Sequence, residues 1–181
     1  MKLYRAKIPV IASEVIARLT ADGDIEVLAE RREEAERDLI AIMEEFRRRD
    51  MAMRDRIRDY MAARKVPYSE FGRTKKRMAE EMDHPVGDDI ERFLTRQFIE
   101  NMLITPNIEE VYEEDRVIHK KVMEVLRSHH VDEREIREEA VAKIKNVREG
   151  TVDYEIALQK AVKEVKLRRG LIVDKKPRQH R

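Results

Sequence analysis

The sequence predicts an all-α protein: two tandem, related helical units forming a two-lobed or elongated helical bundle. Three observations carry that expectation. Only five glycines and five prolines interrupt 181 residues, and the remainder is weighted toward residues that tolerate helix. Apolar residues reach 41%, enough to pack a core in a chain whose charge content would otherwise suggest disorder. Apolar positions also recur at three- and four-residue steps over long stretches, the spacing of one helix face.

Pro9 stands where a first-turn proline is tolerated, and Val10, Ile11, Val15, Ile16 and Leu19 follow at helical spacing. This first helix is expected to end near Asp22-Gly23, because glycine takes the left-handed conformation past a helix end. Residues 25–65 hold no glycine or proline, and Leu39, Ile42, Met43, Phe46, Met53, Ile57, Tyr60 and Met61 share a stripe. They read as one long helix, or two with a bend near Asp50. Val66-Pro67-Tyr68-Ser69 breaks it, since proline disfavours helix in the residue before it. A third helix over 69–82 follows, with little core-forming character.

Asp83-His84-Pro85-Val86-Gly87 is the best boundary. Asp88 with Glu91 forms a capping-box pattern for a helix carrying Ile90, Phe93, Leu94, Phe98, Met102 and Leu103. Asn107 with Glu110 is a second such pattern, opening a segment to about residue 147, and Asp132 with Glu135 a third, where the segment restarts. Gly150-Thr151 precedes a last helix over 152–169, ended by Gly170. The expected organisation is an N-terminal unit at 1–86, a C-terminal unit at 87–173 and a flexible basic tail at 174–181.

The halves match in order: medium helix, short turn, long helical segment, break, basic helix. Ile16 to Ile25 aligns with Ile99 to Ile108, and Leu39, Ile42, Met43 and Met53 then fall on Val122, Val125, Leu126 and Ile136. Amphipathic helices of any origin align on their apolar spacing. The shared order therefore carries the reading of an internal repeat, and no single pairing does.

Charge follows the same plan. From Glu14 to Glu45 there are eleven acids and four bases; from Arg47 to Met78, twelve bases and four acids. From Asp88 to Asp115 there are nine acids and two bases, and from Lys143 to Arg181 twelve bases and five acids. The basic segments suit an anionic partner, RNA or DNA, through Arg47, Arg48, Arg49, Arg54, Arg58, Arg73, Lys75, Lys76 and Arg77, with Lys160, Lys163, Lys166, Arg168 and Arg169. The competing reading pairs acidic with basic helices or leaves both solvated. Few aromatics accompany the basic runs, so no platform for stacking single-stranded bases is expected.

Other chemistry is not indicated. There is no cysteine, which removes disulfides, thiolate metal sites and cysteine nucleophiles. His129 and His130 are adjacent, not four apart, and the acid runs at Glu33, Glu34 and Glu36, at Glu44 and Glu45 and at Glu113, Glu114 and Asp115 lack the Glu-x-x-His pairs of a di-metal bundle. No catalytic residues, cofactor or metal are expected, and the expectation is a non-enzyme. Ser13, Glu14 and Arg18 interrupt the first apolar run too early for a secretory signal, so no membrane association and a cytoplasmic location are expected. The alternative to nucleic-acid binding is a protein-partner adaptor or homodimeric scaffold using long amphipathic helices.

The opening MKLYRAKIPVIASEVIARLTADGDIEV and the central VYEEDRVIHKKVMEVLRSHHVDEREI resemble the bacterial family called domain of unknown function 507, over nearly the whole chain. The resemblance implies an α-helical bacterial protein without an established activity. It transfers no functional residues.

Overall fold

The computed structural model describes residues 1–144 and 151–173, apart from the side chain of Val152. The fold is all-α, with one two-stranded ribbon. Its elements in chain order are α1 (Ile8–Ala21), β1 (Ile25–Glu26), α2 (Arg32–Ala63), α3 (Phe71–Glu81), α4 (Asp89–Met102), β2 (Glu110–Val111), α5 (Asp115–Ser128), α6 (Glu133–Lys143) and α7 (Val152–Arg168). The end of the long second segment, near 147, and the tail 174–181 lie outside the described residues.

The chain forms two compact units. One comprises Met1 and Ile8–His129, the other Lys2–Lys7 and the chain from His130 onward. The division expected between 86 and 87 therefore falls inside the first unit. The physical reason is burial: α4 packs on α2 and α5, and α1 packs on α2 and α5. Ile8, Ile11, Ala12, Val15, Ile16 and Leu19 of α1 are buried, as are Ile90, Leu94, Phe98 and Met102 of α4. Both stripes need the partners that α2 and α5 supply through Leu39, Met43, Ile118, Val122 and Leu126. At about 1.5–3 kcal/mol for each large side chain removed from water, separating α4 and α5 from α1 and α2 would expose both stripes at a cost of several kcal/mol.

The order helix, two-residue strand, helix occurs twice in the first unit, and the strands pair with each other. Ile25 lies opposite Val111 and Glu26 opposite Glu110, antiparallel. Two like charges then face each other, and the Tyr112 hydroxyl donates to the Glu26 carboxylate. Below the ribbon, Asp24 is buried and receives Lys121 Nζ at 2.7 and 2.8 Å. Asp38 of α2 accepts from Thr105 Oγ1 at 2.6 Å and Asn107 Nδ2 at 3.0 Å, fixing the α4–β2 turn.

Helix ends follow the punctuation unevenly. Gly23 and Gly170 have φ of 76° and 63° after α1 and α7. Thr151 and Asp132 cap their helices, accepting from Tyr154 N at 3.2 Å and Arg134 N at 2.7 Å. Two expected boxes do not form. Asp88 is itself in helical backbone conformation and makes no cap bond. Asn107 is committed to Asp38, and Glu110 lies in β2. α2 runs unbroken through Asp50, whereas the second segment breaks after Ser128 and restarts at Glu133.

In the second unit, Ile136 and Ala140 of α6 pack with Leu158, Ala161 and Val165 of α7, and with Tyr4 and Leu171. The Tyr4 hydroxyl donates to Glu133 Oε1. Lys2 and Lys166 each reach the same carboxylate at 3.0 Å. Burial pushes the Glu133 carboxyl up, but Tyr4, Lys2 and Lys166 together hold it at about 2.

Candidate functional site

The C-terminal half of α2 and α3 form a helical hairpin. Met53, Ile57 and Met61 are buried against Ala79, with Val66, Phe71, Met78 and Val86 packed around them. The turn between the helices is built stepwise. Val66 N bonds Met61 O at 2.9 Å, Lys65 takes φ of 52°, and Pro67 is extended. A single 3-10 turn, Tyr68–Glu70, leads into α3. Apolar residues occupy the inner faces, so the charged residues of this stretch are left on the outside.

Those charges do not balance. Residues 54–77 contain nine bases and three acids. Arg54 meets Asp50 at 2.8 Å, Arg58 meets Asp55 at 3.2 Å, and Arg73 meets Glu70 at 2.7 Å. Even one acid for one base leaves a surplus of cations. Two of the bases converge on one ring, and one of them, Arg77, also meets Glu81 at 3.7 Å. Arg64 lies 4.5 Å from the Tyr60 ring centroid and donates to its hydroxyl at 2.9 Å, while Arg77 lies 4.9 Å from the same centroid. The Arg77 guanidinium, with Arg64, holds the Tyr60 phenol below the ordinary tyrosine range. A small cavity of about 200 Å³ opens here, lined by Tyr60, Val66, Glu70, Arg73, Thr74 and Arg77. Two guanidiniums held at a neutral ring form a preorganised receptor for an anion, because part of their side-chain ordering is already done.

The residues nominated from sequence separate into three groups. Arg54, Arg58, Arg73, Lys75, Lys76 and Arg77 belong to this hairpin. Arg47 and Arg48 sit one turn above it and pair with Glu44 and Glu45 at 3.0 and 2.8 Å, with Arg49 beside them. The α7 residues belong to the other unit, where α6 supplies acids. Lys166 meets Glu133, Arg168 meets Glu139, and Arg169 meets Glu139 at 2.8 Å and Glu135 at 3.6 Å. Lys160 and Lys163 are exposed on α7. Opposite charges do meet locally at many nominated positions, most of them solvent-exposed pairs of little energetic weight. Tyr60, Arg64, Lys65 and Tyr68 were not nominated. The four-residue step from Tyr60 to Arg64, which places both on one helix face, is the sequence signal for that pair.

A larger groove, about 860 Å³, lies between α3, the α3–α4 connection, α4 and the first turn of α5. Val86, Phe93, Ile99 and Leu103 give it an apolar lining, and Arg92, Arg96 and Arg116 alternate with Asp83, Asp89 and Asp115 around it. That rim selects neither sign of charge. His84 in its wall is buried and stacked on Phe46 at 5.0 Å, with Nε2 at 3.7 Å from Asp50 Oδ1. Burial lowers its pKa, against the opposing pull of Asp50. Among the described residues there is no cluster of three or more His, Asp or Glu able to hold a metal. Nor, among them, is any helix long and apolar enough to cross a membrane.

The family described as Protein of unknown function (DUF507) matches residues 1–171, and the chain belongs to it. No curated protein matches the chain.

Proposed function

We propose that this is a non-enzymatic, cytoplasmic interaction protein that binds nucleic acid through the basic α2–α3 hairpin. The observation that carries this reading is the convergence of Arg64 and Arg77 on Tyr60, within a stretch where bases outnumber acids three to one. A phosphate oxygen placed between those guanidiniums would gain charge-assisted hydrogen bonds from both. It would also relieve their mutual repulsion. Neighbouring cations on the hairpin, Lys65, Arg73 and Lys76, would extend the contact along a phosphate backbone.

The test is fluorescence anisotropy with a labelled oligonucleotide at low salt, comparing the wild-type protein with Arg64→Ala/Arg77→Ala. Both side chains are on the surface, so the variant should keep its far-UV circular dichroism while affinity falls by about tenfold or more. No binding by the wild type at low salt removes the reading. Undiminished binding by the double variant removes this hairpin as the site.

A second reading is supported by the apolar lining of the larger groove and by Leu103 and Ile104, which are 57% and 81% exposed at the end of α4. A protein segment with an apolar anchor and mixed charges would fit there, as an adaptor requires. Leu103→Asp would abolish such an interaction and leave oligonucleotide binding intact.

A further inference from the structure

Tyr68 is 82% exposed at the turn of the hairpin. Its ring stacks on Phe71, with centroids 5.5 Å apart and planes 26° from parallel. Phe71 is itself packed against the cluster formed by Met53, Ile57, Met61 and Ala79. One face of Tyr68 is thus backed by an anchored ring, and the exposure leaves the other to solvent. The 3-10 turn Tyr68–Glu70 behind Pro67 fixes the backbone beneath it. Val66 and Glu70, which line the arginine cavity, are each two residues away, so their Cα atoms lie within about 7 Å of that of Tyr68. An open aromatic face and an anion receptor are therefore close neighbours.

Charge alone is biased toward the duplex, which carries the denser phosphate charge. An open aromatic face is not, because a duplex keeps its bases stacked internally while a single strand can offer a base to a protein ring. Leaving a large ring in water has no folding benefit, and Tyr68 contributes little to the core below it. On the premise that the hairpin binds nucleic acid, we infer that its ligand is single-stranded: an unstacked base seats on Tyr68 while the flanking phosphates engage Arg64 and Arg77.

The experiment compares a labelled mixed-sequence oligonucleotide of about 20 nucleotides with its blunt duplex, at one low salt concentration. The proteins are the wild type, Tyr68→Ala and Tyr68→Phe. The wild type should bind the single strand about tenfold more tightly than the duplex. Tyr68→Ala should lose most of that ratio and leave duplex binding unchanged, while Tyr68→Phe, which keeps the ring face, should retain it. Equal or tighter duplex binding by the wild type overturns the inference, as does an unaltered ratio in Tyr68→Ala. In either case the nucleic-acid reading survives. If neither form binds, both fall together.

Discussion

Raising the salt concentration is the most direct perturbation of the proposed interface, and the structure sets its size. Residues 54–77 carry nine bases and three acids. Two flanking acids, Asp50 and Glu81, also meet bases of this stretch, Arg54 at 2.8 Å and Arg77 at 3.7 Å. With one base set against each of these five acids, as in the Asp55–Arg58 and Glu70–Arg73 pairs, the surplus is about four positive charges. Each phosphate neutralised on a single strand releases counterions with a slope of about −0.7 in log affinity against log salt. Four give a slope near −3, so between about 50 and about 200 mM salt the affinity should fall roughly 50-fold. Removing two charges in Arg64→Ala/Arg77→Ala should reduce the slope to about −1.5. The assay is an anisotropy titration at four or five chloride concentrations with pH and temperature held constant. A wild-type slope shallower than about −1.5, or the same slope in both proteins, would refute the reasoning, since the surplus charge would then not face phosphate.

Two further outcomes follow from packing and charge elsewhere. Ile57→Ala empties the centre of the α2–α3 cluster, where Ile57 is fully buried. It should cost about 2–5 kcal/mol in urea unfolding and weaken oligonucleotide binding with it, and a cost below about 1 kcal/mol would mean the hairpin core is not as described. In the second unit, Glu133 is held at about 2 by Tyr4, Lys2 and Lys166 against the opposing effect of burial. A carboxyl with a depressed folded pKa stabilises fully above its unfolded value and loses that contribution as pH falls through the folded one. The Lys2–Lys7 segment should therefore loosen between about pH 4.5 and pH 2. NMR of the Tyr4 ring follows this; a transition centred at the ordinary glutamate value would count against the three-donor arrangement.

Helix positions were legible because their causes are local. The Val66-Pro67 break, the glycines after α1 and α7, and the apolar stripes of α1, α4 and α5 each act within a few residues. The ribbon was not legible, because strands of two residues are too short to show alternation. The capping boxes at Asp88 and Asn107 failed for a different reason. A cap depends on the backbone angles of its residue and on competing partners, and Asp38 claims Asn107 from 69 residues away. Pro85 and Gly87 mark a turn that is visible in sequence, whereas the grouping of Ile8–His129 into one compact unit rests on what α4 buries. The candidate site was legible in its charge and not in its geometry. The basic run was visible as composition, but the gathering of Arg64 and Arg77 on Tyr60 needs α3 folded back on α2. Aromatic residues are sparse in this stretch, and the stacking of Tyr68 on Phe71 depends on the 3-10 turn that leads into α3.

The Lys2–Lys7 segment also bears on the order in which the protein is made. Tyr4 and its acceptor Glu133 are 129 residues apart, and the α7 members of its core cluster, Leu158, Ala161 and Val165, come later still. At a synthesis rate of about 5–20 residues per second, the segment waits on the order of 6–26 s before Glu133 exists. Every residue of Ile8–His129 has been made by the end of that interval, so its core can close before the stretch translated ahead of it meets its α7 partners. The first residues made are thus among the last to find their places, and a free Tyr4 marks a chain whose C-terminal helices have not yet emerged.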